Sequence, residues 1–174
     1  MTGGFRVRRW HTTAALLTAA VAAAVGILVA IQPAQAGEVS RVVNYKSKKC
    51  AYVGSYSTRL VTQRWCGTSG GFRWNREKRT DAGTYYWIWS TSTGKCLTAR
   101  TVDGYVEQRE CDVRVSRQRW QIYYAGGTSS GIALWRIKNA SGRCLGVQGG
   151  STASGVRLIH WPCGSYADHK WYFR

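Results

Sequence analysis

Six cysteines fall at positions 50, 66, 96, 111, 144 and 163, and their spacing constrains the fold more than any other feature of the chain. Taken in order as pairs they lie 16, 15 and 19 residues apart, and the first member of each pair recurs after 46 and then 48 residues. A tryptophan follows each second cysteine by eight or nine residues, at Trp74, Trp120 and Trp171, and an aliphatic residue precedes that cysteine by five, at Val61, Val106 and Leu158. The segments Trp87–Leu97 (WIWSTSTGKCL) and Leu134–Leu145 (LWRIKNASGRCL) align on the same Gly-x-Cys-Leu. Agreement in both position and residue type marks three copies of one unit of about 46 residues.

Six cysteines allow 15 pairings. Equivalent positions in equivalent repeats take equivalent partners, which selects Cys50–Cys66, Cys96–Cys111 and Cys144–Cys163. Each link closes a loop of about 15 to 19 residues, worth about 3 kcal/mol in the chain-entropy account. Between the cysteines the pattern is that of strands. YYWIWST, LWRIKN and QRWQIYY are short, aromatic, β-branched and partly alternating, and Gly, Ser and Thr turns separate them. A unit this small buries no core alone, so three are expected to close one all-β barrel with threefold pseudosymmetry. Trp74, Trp120 and Trp171 are then expected inside, together with the hydrophobics of WIW and LWRI.

The N-terminus reads differently. Arg6, Arg8 and Arg9 precede a stretch from Ala14 to Ile31 that is apolar apart from Thr18, and Ala34–Ala36 is an A-x-A site. This is the pattern of a secretory signal peptide over residues 1–36, with an uncleaved anchor as the alternative. Residues 37–174 then form one domain, and export to the extracellular space agrees with cysteines held as disulfides rather than as metal ligands. No C-x-x-C or His-x-x-x-His spacing suggests zinc, and no cofactor or metal is expected.

That domain holds 22 Lys/Arg and eight acids, a net +14, distributed unevenly. Residues 37–80 carry ten basic residues against two acids, residues 81–128 six against five, and residues 129–174 six against one. A field of this sign attracts anionic glycans, wall polymers or nucleic acid, or else only keeps the protein soluble. The densest run is Arg73–Arg79 (RWNREKR). Its Arg73, Arg76, Lys78 and Arg79, with Arg41, Lys46, Lys48 and Lys49 nearby, form a candidate anion-binding patch. No dedicated nucleic-acid site is evident.

GKCL at Gly94 and GRCL at Gly142, the second cysteine of each repeat, and a Q-x-W after it together resemble the ricin B-chain type of β-trefoil lectin module. The resemblance spans about residues 40–174, with repeats near 40–80, 81–128 and 129–174. Q-x-W is intact at Gln118–Trp120 and altered to Phe72-Arg73-Trp74 and His169-Lys170-Trp171. The resemblance implies a β-trefoil with one disulfide in each repeat and up to one shallow sugar pocket per repeat. In such a pocket an aspartate two places after the first cysteine accepts sugar hydroxyls. An aromatic two places before the second cysteine covers the ring, and a polar residue stands three places before the tryptophan.

These positions are mostly altered. The aspartate position holds Tyr52, Thr98 and Gly146; the stacking position holds Arg64, Arg109 and Trp161; the polar position holds Gly71, Arg117 and Asp168. Only the third repeat keeps an aromatic and an acid. One residual carbohydrate site is therefore expected on Trp161 and Asp168, with His160 and Gln148 as neighbours that can add polar contacts. No enzymatic activity is expected: the acids are scattered, and glycoside hydrolysis needs two facing carboxylates. The expected partner is a glycan or an anionic cell-surface polymer, bound by a monomer, with adhesion to anionic polymers or a protein-interaction role as the alternatives to sugar binding.

Overall fold

A computed structural model describes residues 37–81 and 83–174. The signal segment expected over 1–36 lies outside the described residues. Thirteen short strands form the structure. Repeat 1 contains β1 (Glu38–Ser40), β2 (Val42–Asn44), β3 (Cys50–Tyr52), β4 (Thr62–Arg64) and β5 (Trp74–Arg79). Repeat 2 contains β6 (Tyr85–Ser90), β7 (Cys96–Ala99), β8 (Val106–Arg109) and β9 (Trp120–Gly127). Repeat 3 contains β10 (Ala133–Asn139), β11 (Arg143–Val147), β12 (Leu158–Pro162) and β13 (Trp171–Phe173).

The outer strands of the repeats pair in the order β1-β5-β6-β9-β10-β13-β2, all antiparallel. β1 and β2 are one run interrupted at Arg41, whose amide and carbonyl both bond to Arg174 at 2.7 and 3.1 Å. That junction closes the ring into a six-stranded barrel and leaves it without edges. The inner strands form the hairpins β3–β4, β7–β8 and β11–β12. Bridges at Leu60–Glu107, Thr62–Arg157 and Tyr105–Ile159 tie each hairpin to the next, so that together they cap the barrel.

The core repeats three times because the sequence does. Its fifteen residues are five triplets: Val42, Ile88 and Ile137; Ala51, Leu97 and Leu145; Val53, Ala99 and Val147; Val61, Val106 and Leu158; Trp74, Trp120 and Trp171. All three tryptophans are wholly buried, and each indole N–H donates to the carbonyl that follows a cysteine: Ala51 at 3.1 Å, Leu97 at 2.9 Å and Leu145 at 2.9 Å. A buried indole needs such a partner. The three expected disulfides are the ones formed. Of WIW only Ile88 reaches the core; Trp87 and Trp89 stay half-buried on the opposite face of β6, as strand alternation requires.

A sixth triplet is polar and holds the repeats together. Gln63, Gln108 and His160, each three places before a cysteine, are buried and reach into the hairpin loop of a neighbouring repeat. Gln63 donates to the carbonyls of Ser151 and Ala153, Gln108 to those of Ser55 and Thr58, and His160 Nε2 meets the Arg100 carbonyl. On the other side Ser47 and Thr93 hydroxyls donate to the two glutamines, and the Asn139 amide meets His160 Nδ1 at 3.1 Å.

Candidate functional site

Three 3-10 turns, Gly70–Phe72, Ser116–Gln118 and Ala167–His169, precede the three core tryptophans and set the polar positions at their centres. Each turn packs against the residue two places after its repeat's first cysteine, and each pair is differently matched. In repeat 1 the rings of Tyr52 and Phe72 lie 4.5 Å apart, with the Arg64 guanidinium 4.8 Å above Tyr52. In repeat 2 the Gln118 amide donates to the Thr98 hydroxyl at 3.2 Å. In repeat 3 the His169 ring fills the space at Gly146, where a Cβ would lie 2.6 Å from His169 Cδ2.

Gly146 is therefore a packing position as well as a lost ligand. The vacated space also brings in Asp168: its Oδ2 would lie 3.3 Å from that Cβ and accepts the Val147 amide at 3.4 Å. A carboxylate thus stands beside residue 146, supplied by the turn rather than by the strand. In repeat 1 the polar position admits no side chain, because a Cβ on Gly71 would lie 2.2 Å from the Val53 carbonyl oxygen.

Trp161, Asp168 and Gln148 line one groove of about 550 Å³. Trp161 is 54% exposed on β12, whereas Asp168 is only 8% exposed. Gln148 follows β11 and donates its amide to the Tyr105 hydroxyl at 3.1 Å. Tyr105 comes from the hairpin loop of repeat 2, and its neighbour Asp103 pairs with Arg100 at 3.1 Å. Lys46, from repeat 1, donates to the Gly150 carbonyl at 2.6 Å, and the exposed Tyr166 completes the wall. Tyr105, Asp103 and Tyr166 were not singled out by the sequence, and Lys46 was expected in the anion-binding patch rather than here. Of these four only Tyr166 belongs to repeat 3; Lys46, Asp103 and Tyr105 come from other repeats, and only the trefoil arrangement brings them to this groove.

His160 is not part of the groove. It neighbours Trp161 on β12, so its ring points to the opposite face, where it forms the inter-repeat contact described above. Burial holds its pKa below the ordinary imidazole value, with Arg143 adding in the same direction and the Arg100 carbonyl opposing. His169 is shifted the same way, first by burial and also by Arg136, against the opposing pull of Asp168 at 3.8 Å.

The basic run of β5 does not make one cationic face. Alternation sends Arg76 and Lys78 to one side and Arg79 with Glu77 to the other. Arg76 pairs with Glu38 at 2.8 Å and lies 3.6 Å over Phe173, while Arg79 is held between Glu77 at 2.9 Å and Asp81 at 3.3 Å. Arg73 and Lys78 remain exposed.

Barrel and cap together define a β-trefoil. Residues 116–174 match the family model described as ricin-type beta-trefoil lectin domain-like. Similar solved structures include ThreeFoil, a designed threefold symmetric protein (TM-score 0.67, 19% identity, 78% of this chain and 96% of that one). A Macrolepiota procera ricin B-like lectin in complex with lactose is also similar (0.64, 15%, 82% and 98%). So is the C-half of an earthworm R-type lectin in complex with GalNAc (0.60, 10%, 79% and 98%). Trefoils of this shape also occur within larger chains: the match to an exo-beta-1,3-galactanase from Clostridium thermocellum covers 30% of that protein (0.68, 20% identity, 81% of this chain). No curated protein matches the chain by sequence.

Proposed function

We propose that the protein is a secreted carbohydrate-binding module with one working sugar site, the groove of repeat 3. The observation that carries this reading is an exposed Trp161 sharing a groove with the nearly buried carboxylate of Asp168. The indole face covers the C–H side of a pyranose, and Asp168 accepts hydroxyl protons, held in place by the Val147 amide. Gln148 and Tyr105, already bonded to each other, offer a second polar edge. The sugar is neutral: Asp103 and Asp168 oppose the one lysine lining the groove, whose ammonium is engaged by Gly150. The lectins in complex with lactose and with GalNAc share the fold and support the reading at that level.

A glycan array run at low and high salt tests it. Neutral hits should persist at high salt, and Trp161→Ala should weaken them about tenfold or more. Neutral binding unchanged in Trp161→Ala removes the site.

A further inference from the structure

Repeat 2 contains a second hollow, of about 530 Å³, that shares part of its frame with the sugar groove of repeat 3. The correspondence is structural as well as sequential. Gln108 N donates to the Arg59 carbonyl at 2.8 Å, as His160 N donates to the Gly104 carbonyl at 2.8 Å. The bridge Leu60–Glu107 matches Tyr105–Ile159. In this frame Arg109 stands where repeat 3 has Trp161, Arg117 where it has Asp168, and Arg59 where it has Gly104.

The acids around the hollow are already committed. Glu107, 1% exposed beneath Arg109, takes the Arg109 Nε–H. Glu110 accepts the Tyr56 hydroxyl at 2.7 Å and lies 3.6 Å from the Lys95 ammonium. Asp112 is held by two Arg114 nitrogens at 3.0 and 2.9 Å. Arg59 and Arg117 form no ion pair among the described residues, and Arg109 is held only through Nε. Three arginines thus line one hollow with donors to spare.

We propose that this hollow binds a single anionic residue of a polysaccharide, through a sulfate or a carboxylate held by Arg59, Arg109 and Arg117. Guanidinium forks match both oxyanions. Their placement around one concave site favours a single charged sugar over a nucleic-acid backbone, whose row of phosphates calls for cations spread along a surface.

The test measures binding of the full chain to heparin, to polygalacturonate and to neutral dextran across a salt series. Arg59→Gln/Arg117→Gln spares the Arg109–Glu107 pair and so keeps the fold. Its comparison is Arg73→Gln/Lys78→Gln, which removes the same charge from β5. The parent should bind heparin or polygalacturonate and not dextran. Stronger binding of heparin names sulfate as the ligand, and stronger binding of polygalacturonate names carboxylate. The Arg59/Arg117 variant should lose about tenfold or more, with a shallower salt dependence, and the β5 variant much less. Equal losses in the two variants, or no binding of either polyanion by the parent, overturn the proposal. Trp161→Ala should leave this binding intact, which separates it from the sugar groove.

Discussion

Repeats 2 and 3 present hollows of nearly equal volume that share part of one backbone frame, and line the shared positions with opposite chemistry. In repeat 3 an indole and a carboxylate share the groove, whereas in repeat 2 the same two positions carry arginines. The frame survives this exchange because other residues hold it: Leu97 and Leu145, Trp120 and Trp171, and the disulfides from Cys96 and Cys144. Arg109 and Arg117 of repeat 2, like Trp161 and Asp168 of repeat 3, lie outside the hydrophobic core. Their side chains can change class without changing the backbone, which is why a fold of this kind does not by itself name a ligand.

The largest contrast should come from the position two places after each repeat's first cysteine. Gly146→Ala drives a Cβ into the His169 ring and should lower stability by about 2–3 kcal/mol, a cost of overpacking. The corresponding Thr98→Ala only removes a hydroxyl from the Gln118 amide and should cost about 1 kcal/mol. Urea unfolding of both measures the difference; a neutral Gly146→Ala shows that the ring does not occupy that space.

The stacking positions should differ next. Arg109→Ala strips the partner from a carboxylate that is 1% exposed and should cost about 1–2 kcal/mol, less than a fully buried pair because half of the arginine side chain meets water. Trp161→Ala, at an exposed position, should change stability by less than about 0.5 kcal/mol. If the tryptophan proves the costlier loss in thermal or urea unfolding, the reading of Arg109 as the partner of a buried carboxylate is wrong.

A smaller effect lies in pH. His160 does in repeat 3 what Gln63 and Gln108 do in the other two, but only the imidazole titrates. Its pKa in the folded chain is depressed by burial, as is that of His169. Below the unfolded value near 6.5 the unfolded chain therefore binds more protons, and stability falls with pH. Above that value the contribution is fully present. His160→Gln installs the neutral side chain used by repeats 1 and 2 and should shallow the loss between about pH 6.5 and pH 5. Parallel stability profiles for the two proteins contradict this.

The fold was legible because every element that defines it recurs within a repeat. Tryptophan and aliphatic spacings each name a core triplet, cysteine spacing names the three disulfides, and their agreement leaves one architecture. The groove was half legible. Trp161, Asp168 and Gln148 lie on the third repeat's own elements and meet as expected. Tyr105 and Lys46 do not, because they come from other repeats and no spacing within a repeat encodes that approach. His160 was misplaced by sequence adjacency, since neighbours on a strand face opposite ways. The same alternation divided the basic run of β5, while Glu38, Glu77 and Asp81 paired two of its arginines. Arg59, Arg109 and Arg117, spread over 59 positions, gave no run to notice and come to line one hollow only in the folded chain.

The divergence of the two hollows is tested most directly by one crossed binding measurement. Parent, Trp161→Ala and Arg59→Gln/Arg117→Gln proteins are assayed on the same panel of neutral and anionic glycans, at low and high salt. Trp161→Ala should lose the salt-resistant neutral ligands alone, and the arginine variant the salt-sensitive anionic ligands alone. Loss of the same ligands in both variants, or of none in either, contradicts two separate sites.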